Sequence, residues 1–368
     1  MNLFPEKHQF LGTREIVRFT GAIPGESISY EEPRFFLTSH HLLKVPSQVT
    51  TSFTIMQEKI KEILKRQHYG VAGAHSAVQI CRWAKKSILG KEGCYKQKFY
   101  GIKSHQCCQM TPGIWCQNKC LHCWRALELT FSNKIKNVEK PDKIIQACIE
   151  QQKKLLSGFG GNKNTNRQRF KEAQMPKHFA ISLAGEPTLY PYLGEMVQML
   201  REKRMTSFVV TNGLSPQVLM RLQKKKQLPT QLYLSVNAPN KKLFEKIVRS
   251  KIKNAWQTYM KTIKLFPRLK TRKVLRLTLI KDMNMEDEKG YAKLIKLAKP
   301  DFVEAKSYMA VGFSRQRLGY ERMPPHSQVK SFAKKIAKLS GLKVLDEKID
   351  SRVVLLGKSK KGMKIKSQ

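Results

Sequence analysis

The sequence predicts an α/β protein, an open or closed barrel of repeated strand-helix units with a cysteine-rich segment ahead of it. Strand-like and helix-like segments alternate beyond the cysteine-rich region, and six of the eight cysteines fall in ordered spacings between Cys81 and Cys123. A chain of 368 residues with 41% hydrophobic content can also bury a substantial core.

Residues 1–50 contain no cysteine and little periodicity, and form an N-terminal extension to which the sequence assigns no role. Residues 51–110 are expected to be helical and cysteine-rich, since Phe53, Ile55, Met56, Ile60, Ile63 and Leu64 recur at helical spacing over 52–66. Residues 111–345 should hold the barrel. Strands are expected at 178–183, 208–211, 232–236, 274–280 and 302–308. Helices are expected at 142–156, 193–203, 216–226, 242–266 with an internal break, 287–299 and 327–339. Units of this length need right-handed crossovers and therefore a parallel sheet. Functional side chains of such sheets collect at the C-terminal strand ends and in the loops that follow. Residues 346–368 are expected to add a terminal strand and a basic tail. Its last ten residues, SKKGMKIKSQ, read as a flexible arm lying along a phosphate backbone or as a frayed solubilising end.

Lys and Arg total 70 against 27 Asp and Glu, a formal charge of +43. A lysine-rich proteome would explain many lysines but not so few acids, so a polyanionic partner is expected, RNA or DNA first. Residues 1–50 hold five basic and five acidic residues, which places the whole excess in the remainder. A membrane partner is not expected, because no basic amphipathic helix has a clean apolar face and no run approaches the roughly 20 apolar residues that span a bilayer. The N-terminal MNLFPEKHQF lacks the basic region and apolar core of a secretion signal, so a cytoplasmic location is expected. Without that signal, the cysteines read as metal or cluster ligands in preference to disulfides.

In PGIWCQNKCLHCWRA, Cys116, Cys120 and Cys123 stand at spacings of four and three. A loop this tight can present three thiolates to one face of a four-iron cubane and leave the fourth iron open. The alternative is a zinc site completed by His122 or another histidine, although His122 lies between two ligands and would point away from them. Ala184, Gly185, Glu186 and Pro187 follow the first clear strand, where glycine permits close backbone approach and Glu186 offers a carboxylate to an ammonium group. Thr211, Asn212 and Gly213 end the next strand, and Ser235, Val236 and Asn237 the one after. Their short polar side chains suit hydroxyls and a carboxylate, or simply turn the chain. Upstream, Cys81, Cys94 and Cys107 recur every thirteen residues and invite a second cluster with another open iron. Cys108 rivals Cys107 for the third place, and Cys148, in an apolar helical context, reads as core.

The CxxxCxxC loop resembles the radical S-adenosylmethionine (SAM) superfamily. There the open iron chelates the amino and carboxylate groups of SAM, and an electron from the cluster cleaves it to methionine and a 5′-deoxyadenosyl radical. The aromatic residue usual before the last cysteine is here His122. The GEP run resembles the motif that binds the SAM amino group, which implies SAM contacts from Gly185, Glu186, Pro187, Thr211, Asn212, Ser235 and Asn237. Further segments, CRWAKKSILGKEGCYKQKFYGIKSHQCCQMTP, GFGGN, PKHFAISLAGEPTLYP, VTNG, LSVNAP and SYMAVGFSR, extend the likeness over roughly residues 75–320. Together with the cysteine loop they make the chain similar to the 4-demethylwyosine synthases of wyosine tRNA modification.

That resemblance implies an incomplete (β/α)6 radical SAM barrel with an N-terminal cysteine-rich cluster-binding segment. It implies SAM and two 4Fe-4S clusters, the second held by Cys81, Cys94 and Cys107. It further implies that two carbons of pyruvate are joined to the N1-methyl of 1-methylguanosine at position 37 of tRNA(Phe), closing a third ring. Lys96, or alternatively Lys98, would form a Schiff base with pyruvate, for which the amine must be partly deprotonated. Arg315, Arg317 and Arg322 are candidate RNA contacts beyond the last strand. The eukaryotic form carries a flavodoxin-like domain upstream that this sequence lacks, so a separate electron-donor protein is expected, with the enzyme itself a monomer.

Overall fold

The computed structural model describes residues 58–130 and 138–365, all within a compact unit spanning Thr51–Gln368. The expected extension over residues 1–50, the helical positions Phe53, Ile55 and Met56, and the last three residues of the tail lie outside the described residues.

Helix α1 (Glu58–Arg66) buries Ile60 and Leu64, and the hairpin β1 (Gly70–Ala72) and β2 (Ser76–Gln79) follows. Two short helices, α2 (Arg82–Ile88) and α3 (Tyr95–Tyr100), and a 3₁₀ turn at Ser104–Gln106 lead into β3 (Cys107–Thr111). After a loop and the single turn α4 (Leu127–Thr130) come α5 (Pro141–Leu156), α6 (Arg167–Ala173) and β4 (His178–Ile181). The repeat continues with α7 (Leu193–Glu202), β5 (Thr206–Thr211), α8 (Pro216–Lys224) and β6 (Gln231–Val236). Then come α9 (Lys241–Val248), α10 (Ala255–Leu265), β7 (Arg272–Leu279), α11 (Glu288–Ala298) and β8 (Phe302–Ser307). The chain ends through α12 (Ser314–Leu318), α13 (His326–Ser340), β9 (Lys343–Lys348) and β10 (Val353–Gly357).

Local chemistry sets these boundaries. Pro141 and Pro216 open α5 and α8 at positions where no amide donor is needed. Asn240 and Asp287 cap α9 and α11 by accepting from Leu243 N at 3.1 Å and Gly290 N at 2.7 Å. The break expected within 242–266 falls where Arg249 and Asn254 take left-handed backbone angles, φ 50° and 56°.

The ten strands lie in the order β1-β2-β3-β4-β5-β6-β7-β8-β10-β9. Strands β3 to β8 are parallel and consecutive. Antiparallel strands flank them on both sides. The sheet does not close, so the fold is an incomplete (β/α)6 barrel. All five expected strands are present as β4 to β8. The first parallel strand, however, is β3, and the boundary expected between residues 110 and 111 falls inside it.

Strand alternation divides the sheet into two chemically different faces. Cys108, Met110, Phe179, Val209, Leu232, Leu234, Leu275, Leu277 and Val303 pack with the helices in the main core. The opposite face holds Phe208, Tyr233, Val274 and Phe302, which pack against Tyr95, Phe99 and Tyr100 of α3 and against Val353 and Leu355 of β10. Helix α3 therefore plugs the barrel interior. The tail joins the same cluster: Met363 is buried, Ile365 N donates to Tyr100 O at 2.9 Å, and Arg272 donates to the carbonyls of Gly362 and Met363. Through Ile365 the expected flexible arm is a docked strap, because Met363 and Ile365 place apolar surface between the lysines.

Candidate functional site

Strand β3 delivers the chain at the C-terminal rim into the cysteine loop, and the neighbouring strand end seats that loop. Thr111 Oγ1 lies 2.6 Å from Ala184 O and 2.7 Å from Gly113 O. Gly185 has φ +71°, and a Cβ there would stand 2.2 Å from Gly113 O and 2.8 Å from Trp115 O, so only glycine fits. Glu186 N donates to Trp115 O at 2.8 Å. The far side of the loop is held by Lys251 N to Gln117 O at 2.8 Å and Leu121 N to Ile247 O at 2.9 Å.

Within this frame Cys116, Cys120 and Cys123 are free thiols that influence one another electrostatically. Burial pushes the Cys116 thiol up to about 11, with Arg125 opposing and Glu186 and Cys123 adding to the shift. Arg125, unremarked in the sequence, is the counterion. It is buried, its Nε lies 3.2 Å from Cys123 Sγ, and its other nitrogens reach the carbonyls of Ile114, Thr130 and Asn118 at 3.1 Å each. Burial disfavours that charge, but the pull of Cys123 and Cys116 outweighs burial and raises the guanidinium's pKa further.

Three neighbouring thiols, a buried cation to balance them and the unpartnered buried amides of Gln117 and Asn118 fit an anionic iron-sulfur cluster with a further ligand beside it. Among the described residues no three His, Cys, Asp or Glu side chains close in on a single metal ion. His122, between two of the cysteines, is kept neutral: burial, with Arg317 beside it, pushes it down to about 4, and its Nδ1 has no partner.

The rim residues divide into two groups. Glu186 is not the open carboxylate expected. Its Oε1 accepts from Thr188 N at 3.1 Å, Thr188 Oγ1 at 2.7 Å and Thr211 Oγ1 at 2.7 Å, and its Oε2 accepts from Asn212 N at 2.7 Å. Burial raises the pKa of this carboxyl while those donors oppose it. Glu186 and Thr211 thus join the ends of β4 and β5, and Pro187 opens the 3₁₀ turn that follows. Asn212 reaches the cysteine loop, its Nδ2 standing 3.7 Å from Cys116 Sγ. Ser235 lies on the inner face of β6, and Asn237, just beyond it, keeps a buried Oδ1 without a protein partner. Arg317, expected to face RNA, instead braces the cysteine loop by donating to Leu121 O at 3.1 Å and to Cys123 O. Arg322 pairs with Asp282 at 3.6 Å.

The cysteines of the second set lie within electrostatic reach of one another. Cys81 caps α2, accepting from Ala84 N at 3.4 Å. Cys94 begins α3 and is held by Ser104 Oγ, which accepts from Cys94 N at 2.9 Å and donates to its sulfur at 3.3 Å. Cys107 opens β3 on the inner face. These three thiols and Lys96 all act on one another electrostatically. Cys108 faces the opposite side, fully buried beside Cys148, and is therefore excluded from the set.

Lys96 is 9% exposed, its Nζ 5.2 Å and 5.3 Å from the ring centres of Phe208 and Tyr233. Burial, then the Arg276 charge, lowers its pKa, while Cys107, Glu304 and Cys94 work the other way. Lys98 points outward, its side chain 49% exposed and paired with Asp346 at 2.9 Å. Facing Lys96 are charged groups that the sequence reading passed over. Arg276 pairs with the fully buried Glu304 at 2.9 Å and donates to Tyr95 OH at 2.7 Å. Lys306, on the same face of β8, is pushed down to about 8 by burial and by Arg276. Charges at alternate positions of β7 and β8 were a readable signal, since parallel strands covered on both faces ordinarily run apolar.

Residues 110–295 match the family model of the radical SAM superfamily, and residues 297–358 match that of wyosine base formation. The S-adenosyl-L-methionine-dependent tRNA 4-demethylwyosine synthase of Pyrococcus abyssi is 44% identical over 304 residues, 82% of this chain and 89% of that protein. The chain belongs to the tRNA 4-demethylwyosine synthase family. Among solved structures, TYW1 with a lysine-pyruvate adduct bound aligns with a TM-score of 0.75 and 36% identity, over 84% of this chain and 98% of that one. The crystal structure of archaeal TYW1 aligns with a TM-score of 0.70 and 32% identity, over 84% and 100%.

As a 4-demethylwyosine synthase the chain is a radical SAM enzyme of wyosine base formation, and SAM and one 4Fe-4S cluster belong to its chemistry. The wyosine-specific match begins just before β8 and runs past β10, so it includes Glu304, Lys306 and the Arg317 brace. Among the described residues no helix is long and apolar enough to cross a membrane.

Proposed function

We propose that this chain builds the tricyclic base from pyruvate and 1-methylguanosine at position 37 of tRNA(Phe), with Cys116, Cys120 and Cys123 holding the SAM-binding cluster. In the same reading Cys81, Cys94 and Cys107 hold a second 4Fe-4S cluster. The enzyme works as a cytoplasmic monomer and takes its electrons from a separate protein. Residues 51–110 serve as the second-cluster segment, followed by the barrel over 111–345 and by the terminal strand and basic tail over 346–368.

One observation carries the reading: Lys96 is buried inside the barrel, electrostatically tied to a second set of three thiols. Burial that lowers an amine's pKa raises the share of its free base, the form that attacks a ketone. Lys96 Nζ attacks the pyruvate carbonyl, a C=N bond replaces C=O, and water leaves. A lysine-pyruvate adduct in a solved TYW1 structure supports this step. Asn237 Oδ1 and Ser235 are rim groups available to SAM, while Gly185, Glu186, Pro187, Thr211 and Asn212 shape the rim that receives it. When bound, SAM and its cluster supply radical chemistry, the removal of a hydrogen atom from the N1-methyl group. Phe208 and Tyr233 shield the Lys96 amine from bulk water. The resulting methylene radical adds to the imine carbon, and the bond to the carboxyl carbon breaks so that this carbon leaves as a CO2 radical anion carrying the unpaired electron. Attack of the guanine amino group on the restored imine then closes the ring and expels the Lys96 amine.

Anaerobically reconstituted protein, given 1-methylguanosine-bearing tRNA, SAM, pyruvate and a reductant, is expected to yield the tricyclic base by mass spectrometry. Borohydride should trap pyruvate on the Lys96 peptide, and Lys96→Ala should lose both signals. SAM cleavage without the tricyclic base would redirect the search to another substrate, and a fully active Lys96→Ala would remove the lysine from the mechanism.

A further inference from the structure

Beyond β8 the chain forms a platform over the barrel mouth. Gly312, with φ +53°, lies so close to the cysteine loop that a Cβ would stand 2.7 Å from Trp124 O, and Phe313 N donates to the same carbonyl at 3.1 Å. Arg317 reaches Leu121 O at 3.1 Å. On the other side Lys281 N donates to Arg322 O at 2.9 Å, joining the platform to the loop after β7. A segment tied to both neighbours is a fixed part of the rim.

On this platform stands Tyr320, whose side chain has no core to fill. It is 57% exposed, the one aromatic residue among the exposed large hydrophobics of the described residues. Its hydroxyl accepts from Arg315 Nη1 at 3.2 Å, which ties the ring to a cation of the short helix just before it. Arg315 is bonded to it, and Arg322, two residues further along the same segment, is paired with Asp282, with Glu321 between. An exposed aromatic ring tied to a cation matches the chemistry of an unpaired RNA base, which needs a flat apolar face and positive charge for its phosphate.

We propose that Tyr320 is a stacking platform for a nucleotide next to the modified base, holding the anticodon loop open over the barrel mouth. The inference rests on the tRNA reading above and assigns it a recognition residue. Drawing one base into a barrel leaves its neighbour unstacked, and Tyr320 supplies the lost stacking surface.

The test uses the full reconstituted chain and a tRNA(Phe) transcript carrying 1-methylguanosine, with 2-aminopurine as the adjacent nucleotide. Wild type should quench the 2-aminopurine on binding. Tyr320→Ala should lose the quench and bind the tRNA roughly ten- to a hundredfold more weakly, the weight of one base-aromatic stack. Tyr320→Phe and Tyr320→Trp should stay within about threefold of wild type, and equal iron content and melting temperature would show that all variants fold. Quenching and affinity that survive in Tyr320→Ala would overturn the proposal and assign the patch to another partner. Product formation by the wild type is scored separately. An enzyme that binds this tRNA with Tyr320-dependent quenching yet makes no tricyclic base would sink the catalytic reading alone.

Discussion

Arg276 and Glu304 meet inside the barrel, the Glu304 carboxylate cut off from water and the Arg276 side chain only 17% exposed, and each is stable there because the other is present. Glu304 is fully buried and accepts from Arg276 Nε at 3.0 Å and from Tyr100 OH at 2.6 Å. The Arg276 guanidinium also lies 4.3 Å from the ring centre of Tyr233. Removing one partner leaves an uncompensated buried charge, so Glu304→Ala should cost about 3–5 kcal/mol in urea unfolding of the apo protein at neutral pH. A loss below about 1 kcal/mol would show that water already enters this part of the barrel. Strand alternation also resolves choices that spacing leaves open. Cys107 and Cys108 are adjacent in sequence but face opposite sides of β3, whereas on α3 it is the helical turn that parts Lys96 from Lys98, two positions on and about 200° around the axis. Arg125 was the residue least open to sequence reading, since its role depends on a loop that folds back to surround it with carbonyls and a thiol.

At the scale of elements, the strands legible in the sequence were those with an apolar face against the helices, β4 to β8, and their helices followed from periodicity. Strand β3 escaped because CCQMT alternates cysteine, glutamine and threonine on the cavity side and offers only Cys108 and Met110 to the core. A strand whose inner face serves chemistry loses part of the apolar pattern by which strands are recognised. The basic tail was misread for a related reason: its lysines dominate the composition, while Met363 and Ile365 decide its position. If the strap is docked, Met363→Ala should destabilise the protein by about 2 kcal/mol. Lys360→Ala, on the exposed side of the same segment, should change stability by less than about 0.5 kcal/mol. Urea unfolding distinguishes the cases, because a free arm would make both substitutions neutral.

For the whole molecule, charge and recognition are separate properties. Several of the 27 acids are already committed to nearby cations, among them Glu172 to Lys103, Glu304 to Arg276, Glu347 to Lys330 and Glu288 to Lys335. The surplus of basic residues is widely spread, as in the exposed run Lys224, Lys225 and Lys226 at the end of α8, which leads into the end of β6 opposite its rim residues Ser235 and Asn237. A surplus so distributed attracts RNA backbone without orienting it. Orientation then falls to the rim, where the platform at Tyr320 and the barrel interior read bases through stacking and shape. Counterion release therefore governs affinity: an enzyme that engages five or more phosphates should show a slope of log K against log salt of about −3.5 or steeper. Discrimination should behave differently. The ratio of affinities for tRNA with and without the N1-methyl group on guanosine 37 should hold constant within about twofold while both affinities fall. Titrations of the two tRNAs at several salt concentrations measure both quantities. A ratio that collapses along with affinity would mean that phosphate contacts, and not the rim, distinguish the substrate.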